Sequence, residues 1–299
     1  MSSSVNSVEA NGMQTVKKQS QLASIARRFK KNKLAMVGLV MFALLVLLAL
    51  TADLFFDYNT QALQQNMQAR FQGMSREYPF GTDQYGRNMF VRIVFGTRIS
   101  LIVAVTTASV GLVFGTAVGS IAGYYGGRIE NILMRIRDIF MAIPSMLLAI
   151  CLVAAFGNGL FNLILANGIA QIPRYSRIVR SNILTLKGSE FVEAARASGT
   201  GDAKIILKHI IPNALGPLIV QATLTMATAI LNVAALSFVG LGITPPTPEW
   251  GSMLSTGKEF MRQHSHLVVV PGLAIMFAVL SFNLIGDGLR DALDPKLKN

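Results

Sequence analysis

Residues 193–213 read EAARASGTGDAKIILKHIIPN, a polar and basic stretch that interrupts an otherwise apolar chain. Beginning just before this stretch, one helical face carries mostly small side chains at the spacing i, i+3, i+4 and i+7: Phe191, Ala194, Ala195 and Ser198. Ser189 is typical of a helix N-cap, and Gly199 is typical of the residue that follows a helix C-terminus. The pattern predicts a short helix, a turn and a second helix that leads into an apolar run. Small side chains on the first helix would let another surface approach its backbone closely.

The rest of the chain has the composition of a membrane protein. Of its 299 residues, 52% are hydrophobic and 14% are charged, whereas soluble domains carry about 25% charged residues. A membrane-spanning helix needs about 20 mostly apolar residues. Six runs approach or exceed this length, at residues 34–54, 100–123, 139–156, 160–179, 217–239 and 267–285. The sequence therefore predicts an all-α, polytopic membrane protein with six transmembrane helices. Glycines spaced four apart in the second run, at 111, 115 and 119, predict tight helix packing.

The distribution of basic residues predicts the orientation of these helices. Twenty lysines and arginines flank them on the side of the N-terminus, and seven flank them on the other side. Because cytosolic loops are the more basic, both termini are predicted to be cytosolic. The net charge of +12 is then mainly a topology signal with attraction to anionic lipid, and not a nucleic-acid surface.

These assignments divide the chain into five regions. They are a cytosolic N-terminal tail (1–33), a first transmembrane helix (34–56), an extracytoplasmic segment (57–99), a five-helix core (100–290) whose cytosolic loop lies at about 186–212, and a cytosolic C-terminal tail (291–299). Residues 1–20 are polar and poor in core residues, so we expect them to be disordered.

The sequence contains no motif that indicates catalysis or cofactor binding. Residues 198–204, SGTGDAK, are glycine-rich but lack the G-x4-G-K-[ST] spacing of a phosphate-binding loop. His209, His264 and His266 form no zinc-protease motif, and the single Cys151 is predicted to be packed in an apolar run. Ionisable residues are absent from the middle of the six runs, which counts against an ion-coupled carrier.

Four motifs in order resemble a known family. Glu193-Ala194-Ala195-x3-Gly199, followed by Ile210-Ile211-Pro212, resembles the EAA loop of permease subunits of binding-protein-dependent ABC importers. Residues 80–88 (FGTDQYGRN), 245–251 (PPTPEWG) and 283–295 (NLIGDGLRDALDP) are similar to segments of the dipeptide/oligopeptide/nickel branch, in the C-type subunit of the dipeptide importer. The chain departs from the pattern at Asn88, where an acid is usual, and at Val91, where serine is frequent. The resemblance covers the chain from about Arg28 to its end.

The resemblance implies a type I ABC importer permease in a bacterial or archaeal cytoplasmic membrane. It implies a heterodimer with a second homologous permease, two ABC ATPase subunits that bind ATP and Mg²⁺, and an extracytoplasmic substrate-binding protein. The permease itself would hold no cofactor, metal or catalytic residue. The loop that couples it to the ATPases would act through Phe191, Glu193, Ala194, Ala195, Gly199 and Pro212.

The cargo implied by the resemblance is a dipeptide or oligopeptide. Nickel, glutathione or another small solute remains the alternative within the family, and an ion-coupled secondary transporter is the alternative outside it. Polar residues within membrane runs are candidates for the substrate pathway, although each could instead bond to a neighbouring helix: Asn167, Gln171, Gln221, Asn232 and Asn283. Candidates for an outer gate or a binding-protein contact are Asp83, Arg87, Pro246, Glu249 and Trp250, and Trp250 could alternatively anchor the chain at the membrane interface.

Overall fold

A computed structural model describes residues 21–293, and within this range the chain is helical and contains no strand. The helices are α1 (Gln21–Lys31), α2 (Lys33–Phe55), α3 (Met89–Tyr125), α4 (Gly127–Ala142), α5 (Ser145–Phe156), α6 (Leu160–Leu186), α7 (Glu190–Ala197), α8 (Asp202–Ile205), α9 (Ile211–Phe238), α10 (Trp250–Gly257) and α11 (His266–Leu293). Shorter π- and 3₁₀-turns lie at Tyr58–Leu63, Met67–Ala69, Ile206–Ile210 and Lys258–Phe260. The prediction that residues 1–20 are disordered lies outside the described residues, whereas residues 21–31 of the predicted tail form α1.

Four helical segments of the described range are long and apolar enough to cross a membrane. They are α2, α3, the continuous segment Asp202–Phe238 that includes α9, and α11; α4 and α5 together form a fifth, bent candidate. Helix α6 is not among them, because the fourth predicted run continues past Pro173 into a basic half. The all-α, polytopic architecture is therefore confirmed in the described range, while the number of six spans stays a prediction.

The predicted third run, residues 139–156, does not form one continuous helix. Helix α4 ends at Ala142, α5 begins at Ser145, and the two are bent by 90°. Pro144 causes the break, because proline disfavours helical geometry in the residue before it, and Ile143 is extended at φ −92°, ψ 126°. The 12 residues of α5 extend about 18 Å at 1.5 Å per residue, which is shorter than a bilayer core. The prediction that Cys151 is packed is wrong, since this α5 residue is exposed.

Helix α3 begins eleven residues earlier than the predicted run, at Met89. Asn88 caps it, since its side-chain Oδ1 accepts hydrogen bonds from the backbone N–H groups of Phe90 (3.0 Å) and Val91 (3.4 Å). Asparagine caps helices about as well as aspartate, which explains how Asn88 serves where the family usually has an acid. The predicted boundary between the extracytoplasmic segment and the core, at residue 99, therefore falls inside α3.

The glycine stripe of α3 packs directly against α6. A Cβ atom added to Gly115 would lie 2.3 Å from the Cβ of Tyr175, and one added to Gly119 would lie 2.6 Å from the carbonyl oxygen of Ser176. The stripe extends to Gly123, where an added Cβ would lie 3.0 Å from Ile183. Helices in lipid gain van der Waals energy when small residues let their backbones approach. The predicted role of these glycines in helix packing agrees with this arrangement.

We expect Gly115→Ala to destabilise the chain, because the methyl group would overlap Tyr175. Overpacking of this kind costs about 1–3 kcal/mol. Thermal unfolding of the detergent-solubilised protein should show a midpoint several degrees lower than that of the wild type. Gly272→Ala is the matched control in another long helix, where the nearest atom would lie 4.0 Å away. Equal midpoints for the two variants would contradict the proposed α3–α6 contact.

Candidate functional site

The loop between α6 and α9 contains the predicted helix, turn and second helix. Helix α7 ends in a Schellman motif: the N–H of Gly199 donates to the carbonyl of Arg196 (3.0 Å), and the N–H of Thr200 donates to the carbonyl of Ala195 (3.1 Å). Gly199 adopts φ +74°, a left-handed conformation that glycine tolerates best. Glycine at this position therefore lets the chain reverse from α7 into α8.

Ser189 occupies the N-cap position of α7, but its side chain does not cap the helix. Its Oγ instead donates to the carbonyl of Leu186 at 2.6 Å, and so closes the turn after α6. Glu190 and Glu193 lie in the first turn of α7, where negative charge interacts favourably with the helix dipole. The predicted cap residue is thus correctly placed, although the bond it makes is a different one.

A single valine fixes the inner face of α7. Val192 is 0% exposed and packs with Val179 and Ile183 of α6 and with Ile205 of α8 in one hydrophobic cluster. Ala195 is half-buried and packs against the same cluster. Ala195 therefore lies at the edge of the face predicted for Phe191, Ala194 and Ser198, where the bundle partly covers it. Val192 itself was missed, and the only signal for it was an isolated β-branched residue in a polar loop.

Tyr124, near the end of α3, joins three parts of this loop. Its hydroxyl donates to Asp202 Oδ1 at 2.7 Å and accepts a hydrogen bond from Arg196 Nη2 at 3.4 Å. The guanidinium of Arg196 lies 5.8 Å from the centre of the tyrosine ring. On the other side, the Lys187 ammonium donates to the Tyr124 backbone carbonyl. We call these four residues the Tyr124 cluster; they connect α3 to the end of α6, to α7 and to α8.

Residues 21–293 leave the outer face of α7 uncovered. Phe191 is 39% exposed. The other exposed positions of the helix are Glu190, Glu193, Ala194, Arg196 and Ala197, and the C-cap Ser198 is exposed as well. Pro212 is exposed in the first turn of α9. Of the six predicted coupling residues, five are exposed and only Ala195 turns towards the bundle.

A buried ion-pair network organises the segment between α2 and α3, which was predicted to be extracytoplasmic. Arg87 Nε donates to Asp83 Oδ2 at 2.7 Å, and Arg92 Nε lies 3.7 Å from the same oxygen. Arg92 Nη1 also donates to the carbonyls of Ala62 (2.7 Å) and Pro246 (3.2 Å). The Asp83–Arg87–Arg92 network therefore links the start of α3 to the segment after α2 and to the loop before α10. Asp83 and Arg87 were predicted as contact residues, but both are buried.

The loop before α10 is anchored by Glu249. Its carboxylate accepts hydrogen bonds at 2.7 Å from the backbone N–H groups of Gly251 and Ser252, which caps α10. The Ser237 hydroxyl donates to the same carboxylate at 3.2 Å. Burial raises the pKa of Glu249, while these three donors oppose that rise. A carboxylate so enclosed holds the loop in place and offers no surface to a partner.

Trp250 is fully buried, which excludes the predicted position at the membrane interface. Its indole Nε1 donates to the carbonyl of Ile93 at 3.1 Å, and a Cβ added to Gly96 would lie 2.9 Å from its ring. Among the five candidates for the outer gate, Pro246 is the one that the isolated chain exposes. Trp250 instead locks α10 against α3.

The polar residues predicted for a substrate pathway are spread over three helices. Asn167 and Gln171 of α6 are buried, and both side-chain atoms of Asn167 have no hydrogen-bond partner within the described residues. Gln221 donates to Thr225 on its own helix at 3.1 Å. Asn232 of α9 and Asn283 of α11 are half-buried. The geometry brings Asn167 and Gln171 onto one helix, one turn apart, but does not gather all five residues into one cavity.

His264 and His266 form no metal site with other described residues. The His264 ring stacks on Phe71 with ring centres 4.2 Å apart, and His266 Nε2 lies 3.1 Å from the Thr82 carbonyl. Both therefore hold the start of α11 against the segment before α3.

Comparison with known proteins gives the family. A model of the binding-protein-dependent transport system inner membrane component matches residues 115–299. The chain belongs to this family. A second model, the N-terminal transmembrane domain of oligopeptide transport permease C, matches residues 20–73. The chain is thus a non-catalytic, multi-pass permease, and ATP hydrolysis in such importers resides in separate subunits.

Relatives match this permease over most of their length. It is 48% identical to the dipeptide transport system permease protein of Alkalihalophilus pseudofirmus over 91% of its own chain and 89% of that protein. It is 42% identical to the oligopeptide transport system permease protein of Bacillus subtilis, with coverages of 91% and 88%. It is also 42% identical to a glutathione transport system permease protein of Escherichia coli, with coverages of 91% and 89%.

A solved structure has the same fold. A chain of the MetNI methionine ABC transporter, in inward-facing conformations, superposes with a TM-score of 0.57 at 20% identity. The match covers 74% of this permease and all of that chain. The ABC importer permease fold is therefore confirmed.

We expect Tyr124→Phe to loosen α7 without unfolding the bundle. The change removes one hydroxyl that donates to a carboxylate, and such a bond contributes about 1.5–3 kcal/mol. Amide hydrogen exchange at residues 190–202 should become at least about tenfold faster, while exchange in α9 should be unchanged. Tyr125→Phe is the matched control, because the neighbouring ring is half exposed. If both variants exchange as the wild type does, the Tyr124 cluster does not hold α7.

Proposed function

We propose that this permease is the membrane subunit of an ATP-driven importer of dipeptides or oligopeptides, and that α7 is the helix through which ATPase subunits move it. The observation that supports this role is that one face of α7 packs against the bundle while the opposite face is exposed. Its inner face is fixed by Val192 and the Tyr124 cluster, and its outer face is small and uncovered. A helix built in this way can receive a second protein and transmit the displacement to the bundle.

The route of transmission follows from the contacts of α7. A push on α7 acts on α6 through Val192 and on α3 through Tyr124, and these two helices pack together along the glycine stripe. Because packed interiors deform little, α3, α6 and α7 should move as one body. ATP binding in two ATPase subunits would bring them together, and the permease would change from inward-open to outward-open. The differential affinity of the ATPases for these two states supplies the free energy of the change.

The partners proposed are a second, homologous permease, two ABC ATPases that bind ATP and Mg²⁺, and an extracytoplasmic substrate-binding protein. Names of relatives favour peptides as cargo, because dipeptide and oligopeptide permeases are among them. A glutathione permease at 42% identity keeps glutathione as the second candidate. The substrate pathway proposed along Asn167 and Gln171 would serve either cargo, because amide side chains can both donate hydrogen bonds to a peptide bond and accept them from it.

The docking role of α7 can be tested by Ala194→Leu. The added atoms should block close approach of an ATPase, so we expect at least about a tenfold loss of co-purified ATPase and a similar loss of peptide-stimulated ATP hydrolysis. Ala203→Leu is the matched control, because Ala203 is also exposed but lies on α8, beyond the turn at Gly199. Size-exclusion chromatography would verify that both variants insert and fold. Normal ATPase capture by Ala194→Leu would contradict the assignment of this face.

The cargo is tested separately with the reconstituted importer. The permease, its partner permease, the ATPases and the binding protein would be assembled in nanodiscs, and ATP hydrolysis would be compared with dipeptides, glutathione and nickel. We expect stimulation by dipeptides. If only glutathione stimulates ATP hydrolysis, the proposed peptide cargo is wrong and glutathione takes its place, while the proposed role of α7 is unaffected.

A further inference from the structure

Helix α1 has two chemically different faces. Ile25 and Phe29 lie one helical turn apart, at i and i+4, and form a half-buried apolar side. The opposite side and the residues that follow are strongly basic: Arg27, Arg28, Lys30, Lys31 and Lys33. Residues 21–33 contain no acid. A short helix with this distribution is typical of a segment that lies in a membrane interface.

The structure fixes α1 beside the start of a membrane span. Asn32 separates α1 from α2 and caps α2, because its Oδ1 accepts from the N–H of Ala35 at 3.2 Å. Its Nδ2 donates to Asp291 Oδ2 of α11 at 3.1 Å. A Cβ added to Gly288 of α11 would lie 3.2 Å from the Phe29 ring, so this ring lies directly over the α11 backbone. The angle between α1 and the bundle is therefore set by packing and by a hydrogen bond.

The exposed cations of α1, together with the first residue of α2, form no ion pair within the part of the chain that the structure describes. Arg27, Lys30, Lys31 and Lys33 are exposed, and none of them belongs to an ion pair there. On the facing helix α11, Asp287 and Asp291 are exposed and Asp291 accepts from Asn32. These four cations lie within seven residues of one another, at positions 27–33, and the last of them is the first residue of the candidate membrane span α2. Cations at the end of a membrane span are placed to interact with lipid headgroups.

We propose that α1 is a binding site for anionic phospholipid headgroups. Their phosphates would lie between the exposed cations, while Phe29, packed on α11, would hold the helix beside the bundle. Charge complementarity selects an anionic lipid, because a zwitterionic headgroup offers no net charge to these residues. Since α1 is attached to α11 through Phe29 and Asn32, bound lipid would stabilise the α2–α11 pair. This inference does not depend on the cargo or on the docking role of α7.

The test compares lipid binding by charge variants of the purified importer complex. Native mass spectrometry would follow binding of phosphatidylglycerol and phosphatidylcholine added to the detergent-solubilised complex. Each basic residue near an anionic surface gives roughly a fivefold preference. We therefore expect Lys30→Gln/Lys31→Gln to lower the preference for phosphatidylglycerol by about tenfold or more. Lys30→Arg/Lys31→Arg should retain it.

The matched control removes the same charge from the predicted extracytoplasmic side. Arg76→Gln/Arg262→Gln alters two exposed residues there and should leave the preference unchanged. Inorganic phosphate at the same concentration should not displace the lipid, because it lacks the acyl chains that place the headgroup beside α1. The proposal is overturned if Lys30→Gln/Lys31→Gln binds phosphatidylglycerol as the wild type does, if the control variant loses the preference equally, or if inorganic phosphate displaces the lipid.

Discussion

The close contact between α3 and α6 is the constraint on which the rest of the structure depends. Their backbones approach along Gly111, Gly115, Gly119 and Gly123, where α6 supplies Tyr175 and Ile183 among the facing side chains. Because these α6 side chains pack directly on the α3 backbone, neither helix can slide or rotate without steric overlap. The 37-residue α3 then carries this fixed geometry from the Asp83–Arg87–Arg92 network at one end to Tyr124 at the other. The outer loops and the α7 loop are thus attached to one rigid pair of helices.

A docking helix is useful only if its displacement reaches the bundle. Helix α7 has eight residues, which is too short for a helix to be stable by itself in water. Its stability must come from Val192 in the hydrophobic cluster and from the hydrogen bonds of Arg196 and Asp202 to Tyr124. These contacts leave the opposite face without a partner. The same arrangement therefore explains both why the helix forms and why one face is available.

Local chemistry made the α7 loop predictable from sequence. Gly199 was predicted to follow the C-terminus of a short helix, and in the structure it has the left-handed backbone conformation expected there. Tyr124 and Val192 could not be identified in this way, because their partners lie far away in sequence and meet only after α3 and α6 pack. Pro144 could be recognised in the sequence as a helix breaker. The 90° angle between α4 and α5 could not be predicted, because it depends on how these helices pack. The partial burial of Ala195 could not be predicted, because helical periodicity gives the relative positions of residues and not which of them the bundle covers.

Motifs that identify the family are not necessarily the surfaces that bind its partners. Two of the motifs that carry the family resemblance lie at residues 80–88 and 245–251. Both contain buried residues that connect separate elements of the fold. Asp83 must accept from Arg87 and lie near Arg92, and Glu249 must cap α10, because a buried charge without its partner costs several kcal/mol. Such interactions tolerate little change, which makes the motif distinctive in sequence. In its proposed docking role, the outer face of α7 would by contrast depend on small side chains, and many different residues are small enough. The motifs therefore indicate mainly the buried contacts that hold the fold together. The proposed docking surface has to be identified from the exposure of its residues.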